Sequence, residues 1–224
     1  MKAGIEAINI YSGSASLDVK DLAKARNLDN NRFENLMMKE KSVPMPFEDP
    51  VSNGINAAKP IIDSLTEEER NSIDMVITCT ESGIDFGKSI STYIHHYLGL
   101  NRNCRLFELK NACYSGTAGF QMAVNFVFSQ AAPGRKVLVI CTDIARMSMA
   151  EGASMDLSFF EPSNGSGAVA ILVSDNPMTP DGVKTSKSDT AVTLKYVKRH
   201  IEIGIDALIE LRDSGESVKH LRFE

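Results

Sequence analysis

The chain has 224 residues, 43% of them hydrophobic, and a formal net charge of −5, which fits a folded globular protein with one large domain or two small ones. The acidic balance and the lack of a basic cluster argue against nucleic acid as a partner. No apolar run approaches the roughly 20 residues that span a membrane. The first ten residues contain Lys2 and Glu6 and no apolar core, so we predict a cytoplasmic protein without a signal peptide or membrane partner.

The four cysteines show no Cys-x-x-Cys pairing; they are Cys79, Cys104, Cys113 and Cys141. Three of them lie within or beside apolar, strand-like runs. This pattern predicts reduced thiols rather than a disulfide framework or a zinc site. We predict no metal site and no cofactor.

The N-terminal part of the chain is predicted to begin with a strand and to continue with helices. Gly4 to Tyr11 alternates in part between apolar and polar residues and indicates a strand. Asp18 or Ser16 then caps a helix, and a second helical stretch covers about Asn31 to Lys39. After a proline-rich extended loop, Val51 to Ser64 carries apolar residues at helical spacing.

The middle of the chain alternates between predicted strands and helices. Thr66 to Glu69 is predicted to be a charged, solvated turn. The predicted strands are Ile73–Thr80, Cys104–Leu109, Lys136–Thr142 and Ala168–Ser174, and the predicted helices are about Gly87–Leu98 and Phe120–Ser129. This alternation predicts an α/β domain with a largely parallel sheet.

Two segments fall outside this alternation. Asp143 to Phe160 is predicted to be a polar loop with a short helix near Met147 to Gly152. Residues 178–224 are predicted to be a linker followed by an amphipathic helix over Thr193 to Arg212, with a charged, frayed end. We therefore divide the chain into residues 1–177 and a helical tail, 178–224.

Cys113 lies between the end of a predicted strand and the N-terminus of an apolar helix. Unpaired backbone N–H groups and the helix dipole favour a thiolate at such a position. The small residues Ser115 and Gly116 would allow a substrate to approach the sulfur closely. This pattern is typical of a nucleophilic cysteine that carries an acyl group, and the alternative is an inert cysteine buried before a core helix.

Other candidate site residues also lie at strand ends, where ligands gather in parallel sheets. Glu81 follows one strand and could move a proton at an acyl α-carbon if burial raised its pKa. Alternatively, it is an exposed or helix-capping carboxylate. Asp143 ends another strand, and the glycine-rich loop with Ser163 and Gly165 could line a site with backbone donors or form a plain tight turn.

The four histidines have no context that marks them as catalytic. His95 and His96 lie on a predicted helix and are expected to be surface or packing residues. His200 and His220 lie in the tail. No Ser-His-Asp or metal-ligand pattern emerges.

Three motifs occur in order along the chain, namely Thr80–Asp85, Asn111–Ala118 and Gly165–Ala170. In these motifs and their order, residues 3 to 177 resemble the 3-hydroxy-3-methylglutaryl-CoA synthase family. They look most like its bacterial branch, which works in polyketide β-branching.

The resemblance implies a thiolase-like condensing-enzyme fold and an acyltransferase activity. It implies that a thioester acetylates Cys113 and that Glu81 is the general acid/base while the acetyl enolate attacks a β-ketone. Ser115, Gly116, Ser163 and Gly165 would contact the substrate. The partners would be acyl carrier protein or coenzyme A thioesters, with carrier proteins expected in the polyketide branch, and a second copy of the chain in a homodimer.

The resemblance ends after about Pro177. The family has two similar halves, and its third catalytic residue, a histidine, lies in the second half. We therefore interpret the chain as the first half of such a synthase, whose helical and sheet faces would be exposed without the second. Three functions remain open: a condensing enzyme, a non-catalytic module that binds a carrier protein, and an acyl-thioester hydrolase.

Overall fold

The structure is a computed structural model, and it describes residues 3–35, 37–129, 136–144 and 164–178, without the side chain of Arg32. The strands are β1 Gly4–Tyr11, β2 Ala15–Asp18, β3 Glu40–Val43, β4 Ile73–Cys79, β5 Arg105–Leu109, β6 Lys136–Asp143 and β7 Gly167–Ser174. The helices are α1 Val19–Arg26, α2 Asn31–Asn35, α3 Pro50–Ser64, α4 Glu67–Asn71, α5 Ile90–Leu98 and α6 Tyr114–Phe128.

Five strands form one sheet in the order β1-β7-β6-β4-β5. β4 pairs in parallel with both β5 and β6, whereas β7 runs antiparallel to both β6 and β1. Two of the four strand pairings are therefore parallel and two are antiparallel, so the sheet is mixed. The predicted largely parallel sheet is correct for β4, β5 and β6 and wrong for β7, which is reversed. Because β7 is reversed, its first residues lie at the same end of the sheet as the carboxyl ends of the other strands.

Helices cover both faces of this sheet. In β6, Val137 and Val139 pack with the buried side of α6, while Leu138 and Ile140 pack with α3 and α5 on the opposite face. All four side chains are fully buried. A strand buried on both faces reads as a continuous apolar run, which explains why β6 could be predicted from the sequence.

The helix starts follow from their capping residues. Asp18 accepts a hydrogen bond from the Lys20 amide and caps α1, as one of the two predicted capping residues. Asp49 and Ser52 form a capping box at the start of α3, and Pro50 occupies its first turn, where its missing N–H costs nothing.

The structure corrects three predicted segments. Ser16 lies in β2, which pairs antiparallel with β3, and does not cap a helix. The second predicted helix ends at Asn35, because Met37 adopts a φ of 54° and the chain then enters β3. The predicted turn after Thr66 is the short helix α4, which a Thr66–Glu69 capping box stabilises.

The chain divides into two units, Met1–Gly182 and Val183–Glu224, and all described residues belong to the first. The predicted tail helix and the short helix near Met147 lie outside the described residues. On α6, Tyr114, Met122 and Phe128 are exposed, consistent with the expectation that the first half exposes a helical face. Within the described segments, no helix has both the length and the apolarity to cross a bilayer.

Candidate active site

The ends of β4 and β5 bring the two predicted catalytic residues together. The strands run in parallel with Cys79 opposite Leu109, and the Thr80 amide donates to the Leu109 carbonyl over 3.3 Å. Glu81 follows β4 by two residues and Cys113 follows β5 by four. The Sγ of Cys113 lies 3.8 Å from Oε1 of Glu81, with the thiol donating to the carboxylate.

Cys113 is exposed and forms the N-cap of the 15-residue helix α6. The alternative of a cysteine buried before a core helix is therefore wrong, and the nucleophilic role of Cys113 stays a prediction. A tight turn sets its position, since Ala112 has a φ of 44°, which is uncommon for a residue with a Cβ. The buried Ser115 stabilises this turn through its hydroxyl, which donates to the Ala112 carbonyl over 2.9 Å.

A carboxylate on the neighbouring strand fixes the turn that carries Glu81. Oδ1 of Asp143 accepts hydrogen bonds from the amides of Glu81 and Ser82, at 2.7 and 2.9 Å, and from the hydroxyls of Thr80 and Ser82. In return, the Ser82 hydroxyl accepts from the amide of Ile144, at 3.0 Å. The turns after β4 and β6 therefore form one hydrogen-bonded unit.

A second acidic side chain supports the segment that follows. Glu108 near the end of β5 is almost buried; its Oε2 accepts from the Ile90 amide at the start of α5, and its Oε1 pairs with Lys110 Nζ at 3.2 Å. Asp85 accepts from the amides of Gly87 and Lys88, which lowers the pKa of its carboxyl. The segment between Glu81 and α5 is thus fixed by hydrogen bonds to Glu108 on β5 and to Asp85 within the segment itself.

Glu81 itself is exposed, as in the second of its two predicted interpretations. The burial on which the first interpretation depended is not found among the described residues. Its carboxylate accepts a hydrogen bond from the Cys113 thiol, while its backbone amide donates to Asp143. The geometry therefore fixes the base of the Glu81 side chain and leaves its carboxylate accessible.

The predicted substrate-binding residues lie in different places. Gly116 faces the sheet, where a Cβ would lie 3.0 Å from the sulfur of Cys141. Gly165 lies against β3, where a Cβ would lie 2.7 Å from Oγ of Ser42, and it precedes the Gly167–Asp143 pairing at the site edge. Ser163 is outside the described residues. Contacts of these residues and of Ser115 with substrate stay predictions.

The two described histidines lie near the amino-terminal end of β4, at the end of the sheet opposite Glu81 and Cys113. His95 Nε2 lies 2.8 Å from the carbonyl oxygen of Asn101, whose side-chain amide donates to the carbonyl of Ile73 at the start of β4. His96 is exposed and contacts the ring of Tyr97 edge-on. Both match the predicted surface or packing roles.

The sequence placed Asp143 at a strand end and Thr80 and Ser82 in the first family motif, but it assigned no role to any of the three. The sequence did carry a signal. Asp143 ends one predicted strand, and the hydroxyl residues Thr80 and Ser82 flank Glu81, which follows a different strand. Those two stretches lie about sixty residues apart, and only the parallel pairing of β4 and β6 joins them.

The fold and this site define a class of α/β protein in which a cysteine at a helix N-terminus faces a carboxylate across the carboxyl ends of two parallel strands. The family model for the N-terminal part of hydroxymethylglutaryl-coenzyme A synthase matches residues 1–179, so the chain belongs to that family. The predicted family resemblance and the thiolase-like fold are confirmed.

The individual relatives include proteins of both branches. Over 180 residues the chain is 66% identical to the polyketide biosynthesis 3-hydroxy-3-methylglutaryl-ACP synthase PksG of Bacillus subtilis (strain 168). Over 178 residues it is 38% identical to the hydroxymethylglutaryl-CoA synthase of Enterococcus faecalis. Each alignment covers 79% of this chain and 43% of the relative, so the chain spans less than half the length of these proteins.

A solved structure is similar over the same region. The curacin biosynthetic pathway HMG synthase in complex with acetyl donor-ACP superposes with a TM-score of 0.73 at 62% identity. The match covers 79% of this chain and 42% of that one.

Proposed function

We propose that this chain carries the acyl-loading half of a hydroxymethylglutaryl-synthase-type condensation, with Cys113 as nucleophile and Glu81 as general acid/base. The observation that carries the proposal is the 3.8 Å separation between the Cys113 sulfur and the Glu81 carboxylate, both exposed at one edge of the sheet. A thiol and a carboxylate in this arrangement suit a thioester exchange followed by a proton transfer at the acyl group.

In the first step the Cys113 sulfur attacks the carbonyl of an acetyl thioester, the donor thiol leaves, and an acetyl thioester forms on Cys113. The positive end of the α6 dipole favours the thiolate that attacks. One thioester replaces another, so the exchange has little free-energy cost.

In the second step Glu81 removes a proton from the acetyl methyl group, and the resulting enolate attacks the ketone carbon of a β-ketoacyl thioester. The alkoxide that forms takes up a proton, and hydrolysis of the bond to Cys113 releases a 3-hydroxy-3-methylglutaryl-type product. The Asp143 hydrogen bond to the Glu81 amide supports this step, because it fixes the backbone from which the base extends.

The donor and acceptor are proposed to be carried by acyl carrier proteins, as in polyketide β-branching. The support is the 66% identity to an ACP-dependent synthase, against 38% to a CoA-dependent one. The curacin synthase, solved with its acetyl donor-ACP, is similarly close at 62%. A homodimer in the cytoplasm is proposed on the family resemblance.

A second candidate function is a carrier-protein-binding module without a catalytic histidine among the described residues. The observation that favours it is the position of His95 and His96 at the edge of the sheet opposite Glu81. Such a module would bind the carrier protein without condensing its acyl group.

Deuterium exchange into the acetyl group tests the proposed chemistry on this chain. The protein is incubated with acetyl-carrier protein or acetyl-CoA in D2O, and the acetyl adduct on Cys113 is isolated and weighed. The proposal expects methyl deuteration that Glu81→Gln abolishes while loading persists. Methyl deuteration that persists in Glu81→Gln would exclude Glu81 as the base, and loading without deuteration in the unmodified protein would contradict the proposed proton transfer. Carrier-protein binding without loading would favour the module.

A further inference from the structure

A second pair of cysteines lies beneath the helix that carries Cys113. Cys79 near the end of β4 and Cys141 near the end of β6 are direct partners in the parallel register of these strands. Paired residues on adjacent strands point to the same face of the sheet. Here that face is the α6 side, since Cβ atoms built on Gly119 and Gly116 would lie 2.6 and 3.0 Å from the two sulfurs.

The spacing of the pair suits a disulfide. Neighbouring strands lie about 4.8 Å apart, within the Cα–Cα range of roughly 4.4–6.8 Å that a disulfide spans. Both sulfurs lie on the α6 side of the sheet, on residues that are direct register partners.

The environment gives the two thiols different reactivity. Cys79 is 2% exposed, whereas Cys141 is half-buried and more accessible to a small oxidant. The hydrogen bond from Cys79 lowers the pKa of Cys141, and donating that bond together with burial raises the pKa of Cys79. Burial also raises the pKa of Cys104, to about 12, which makes that thiol a poor competitor.

We propose that Cys79 and Cys141 form a reversible disulfide on exposure to hydrogen peroxide, and that the bond shifts the N-terminal turns of α6. The Cys141 thiolate attacks one peroxide oxygen, which gives a sulfenic acid and hydroxide. The Cys79 sulfur then attacks the sulfenic sulfur, and water leaves as the disulfide forms. In sum, two thiols are oxidised and one peroxide is reduced to two waters.

The consequence for α6 follows from how tightly it packs. Gly119 and Gly116 allow the helix to lie directly on the two sulfurs. Disulfide formation brings the sulfurs to about 2.05 Å from each other, which moves them relative to the glycines above. Since Cys113 is the N-cap of α6, oxidation of Cys79 and Cys141 would also change the position of Cys113. The bond itself does not depend on the proposed acyl chemistry.

Oxidation of the full chain carrying Cys113→Ala tests the pair without interference from the exposed thiol. After brief peroxide treatment we expect a mass lower by two hydrogens, loss of two alkylatable thiols, and a non-reducing peptide map that links Cys79 to Cys141. Dithiothreitol should restore the starting mass. The linked form should appear at least about tenfold faster than any oxidation of Cys104, which is the internal comparison.

The matched control adds Cys79→Ala or, if that buried change prevents folding, Cys141→Ala. With either change the two-hydrogen loss should disappear, and the Cys79→Ala control should gain oxygen on Cys141 instead. A link that involves Cys104, a link between chains, or thiols at 79 and 141 that stay reduced while Cys104 oxidises would overturn the proposal.

Hydrogen exchange tests the consequence for the helix. In the linked Cys113→Ala protein, amides in the first two turns of α6 should exchange faster than in the reduced protein, while those of α3, on the other face of the sheet, stay unchanged. Unchanged exchange in α6 after complete linkage would contradict the proposed coupling between the dithiol and the helix.

Discussion

The Asp143 carboxylate holds the backbone of Glu81: its Oδ1 accepts the Glu81 amide at 2.7 Å across the parallel ends of β6 and β4. The same oxygen accepts three further hydrogen bonds from Thr80 and Ser82. Asp143 does not bond to the Cys113 sulfur in this arrangement; it acts through the turn that carries Glu81. It is therefore a positioning residue.

We predict that Asp143→Ala lowers the rate of deuterium exchange into the Cys113-bound acetyl group by at least about tenfold, which corresponds to about 1.4 kcal/mol. Acetyl loading should change less than about twofold, since Asp143 bonds to the turn that carries Glu81 and not to the Cys113 sulfur. Asp143→Asn, which keeps one acceptor oxygen, should recover part of the exchange. Equal losses of loading and exchange in Asp143→Ala would show a general structural defect instead.

The close approach of α6 to the sheet predicts a steric penalty at Gly119. A Cβ there would lie 2.6 Å from the Cys79 sulfur, so we expect Gly119→Ala to lower the free energy of unfolding by about 1–3 kcal/mol. This cost exceeds the gain of about 1 kcal/mol that alanine brings to a helix interior. Urea denaturation measures the difference.

A double-mutant cycle with Cys79→Ala separates this clash from other effects. Removing the sulfur should offset the Gly119→Ala penalty by about 0.5–3 kcal/mol. Gly87→Ala is the control, because its Cβ would lie 3.6 Å from the nearest atom, and it should change stability by less than about 0.5 kcal/mol. If the changes in the free energy of unfolding caused by Gly119→Ala and Cys79→Ala simply add, the contact between the new Cβ at position 119 and the Cys79 sulfur is not the cause of the penalty.

Glu48 is a buried carboxylate that ties the loop after β1 to the segment before α3. It accepts hydrogen bonds from the Met45 amide, the Ser14 hydroxyl and amide, and the Tyr11 hydroxyl, and these bonds lower its pKa. A folded-state pKa below the unfolded value of about 4.3 stabilises the protein above that pH. The stabilisation is lost as the pH falls through the folded-state pKa.

We therefore predict that Glu48→Gln lowers the free energy of unfolding by about 1–3 kcal/mol at neutral pH. The difference from the unmodified protein should shrink below about pH 4. Unfolding curves across this pH range provide the measurement, and Glu67→Gln at an exposed position is the control. A difference that stays constant with pH would mean that the carboxylate charge at position 48 is not the cause.

The sequence predicted those parts of the fold whose signal is local. β6 was predictable because both of its faces are apolar, and α3 because its apolar residues recur at helical spacing. The strands β2 and β3 were missed because each has only four residues, at least half of them polar or charged, and because each strand pairs only with the other.

The candidate site was predictable in its residues but not in its geometry. Cys113 and Glu81 followed from their positions at strand ends and from family motifs. The reversal of β7, the contact of Gly116 with Cys141 and the bonds of Asp143 depend on which strands become neighbours. No local pattern encodes that order, so these relationships required the structure.

The central claim is that Cys113 accepts an acetyl group from a thioester, and intact-protein mass spectrometry after incubation with acetyl-carrier protein tests it most directly. The account predicts a single acetyl adduct that maps to Cys113, is absent in Cys113→Ala and persists in Cys104→Ala. No adduct on folded protein, or an adduct that survives in Cys113→Ala, would contradict the account.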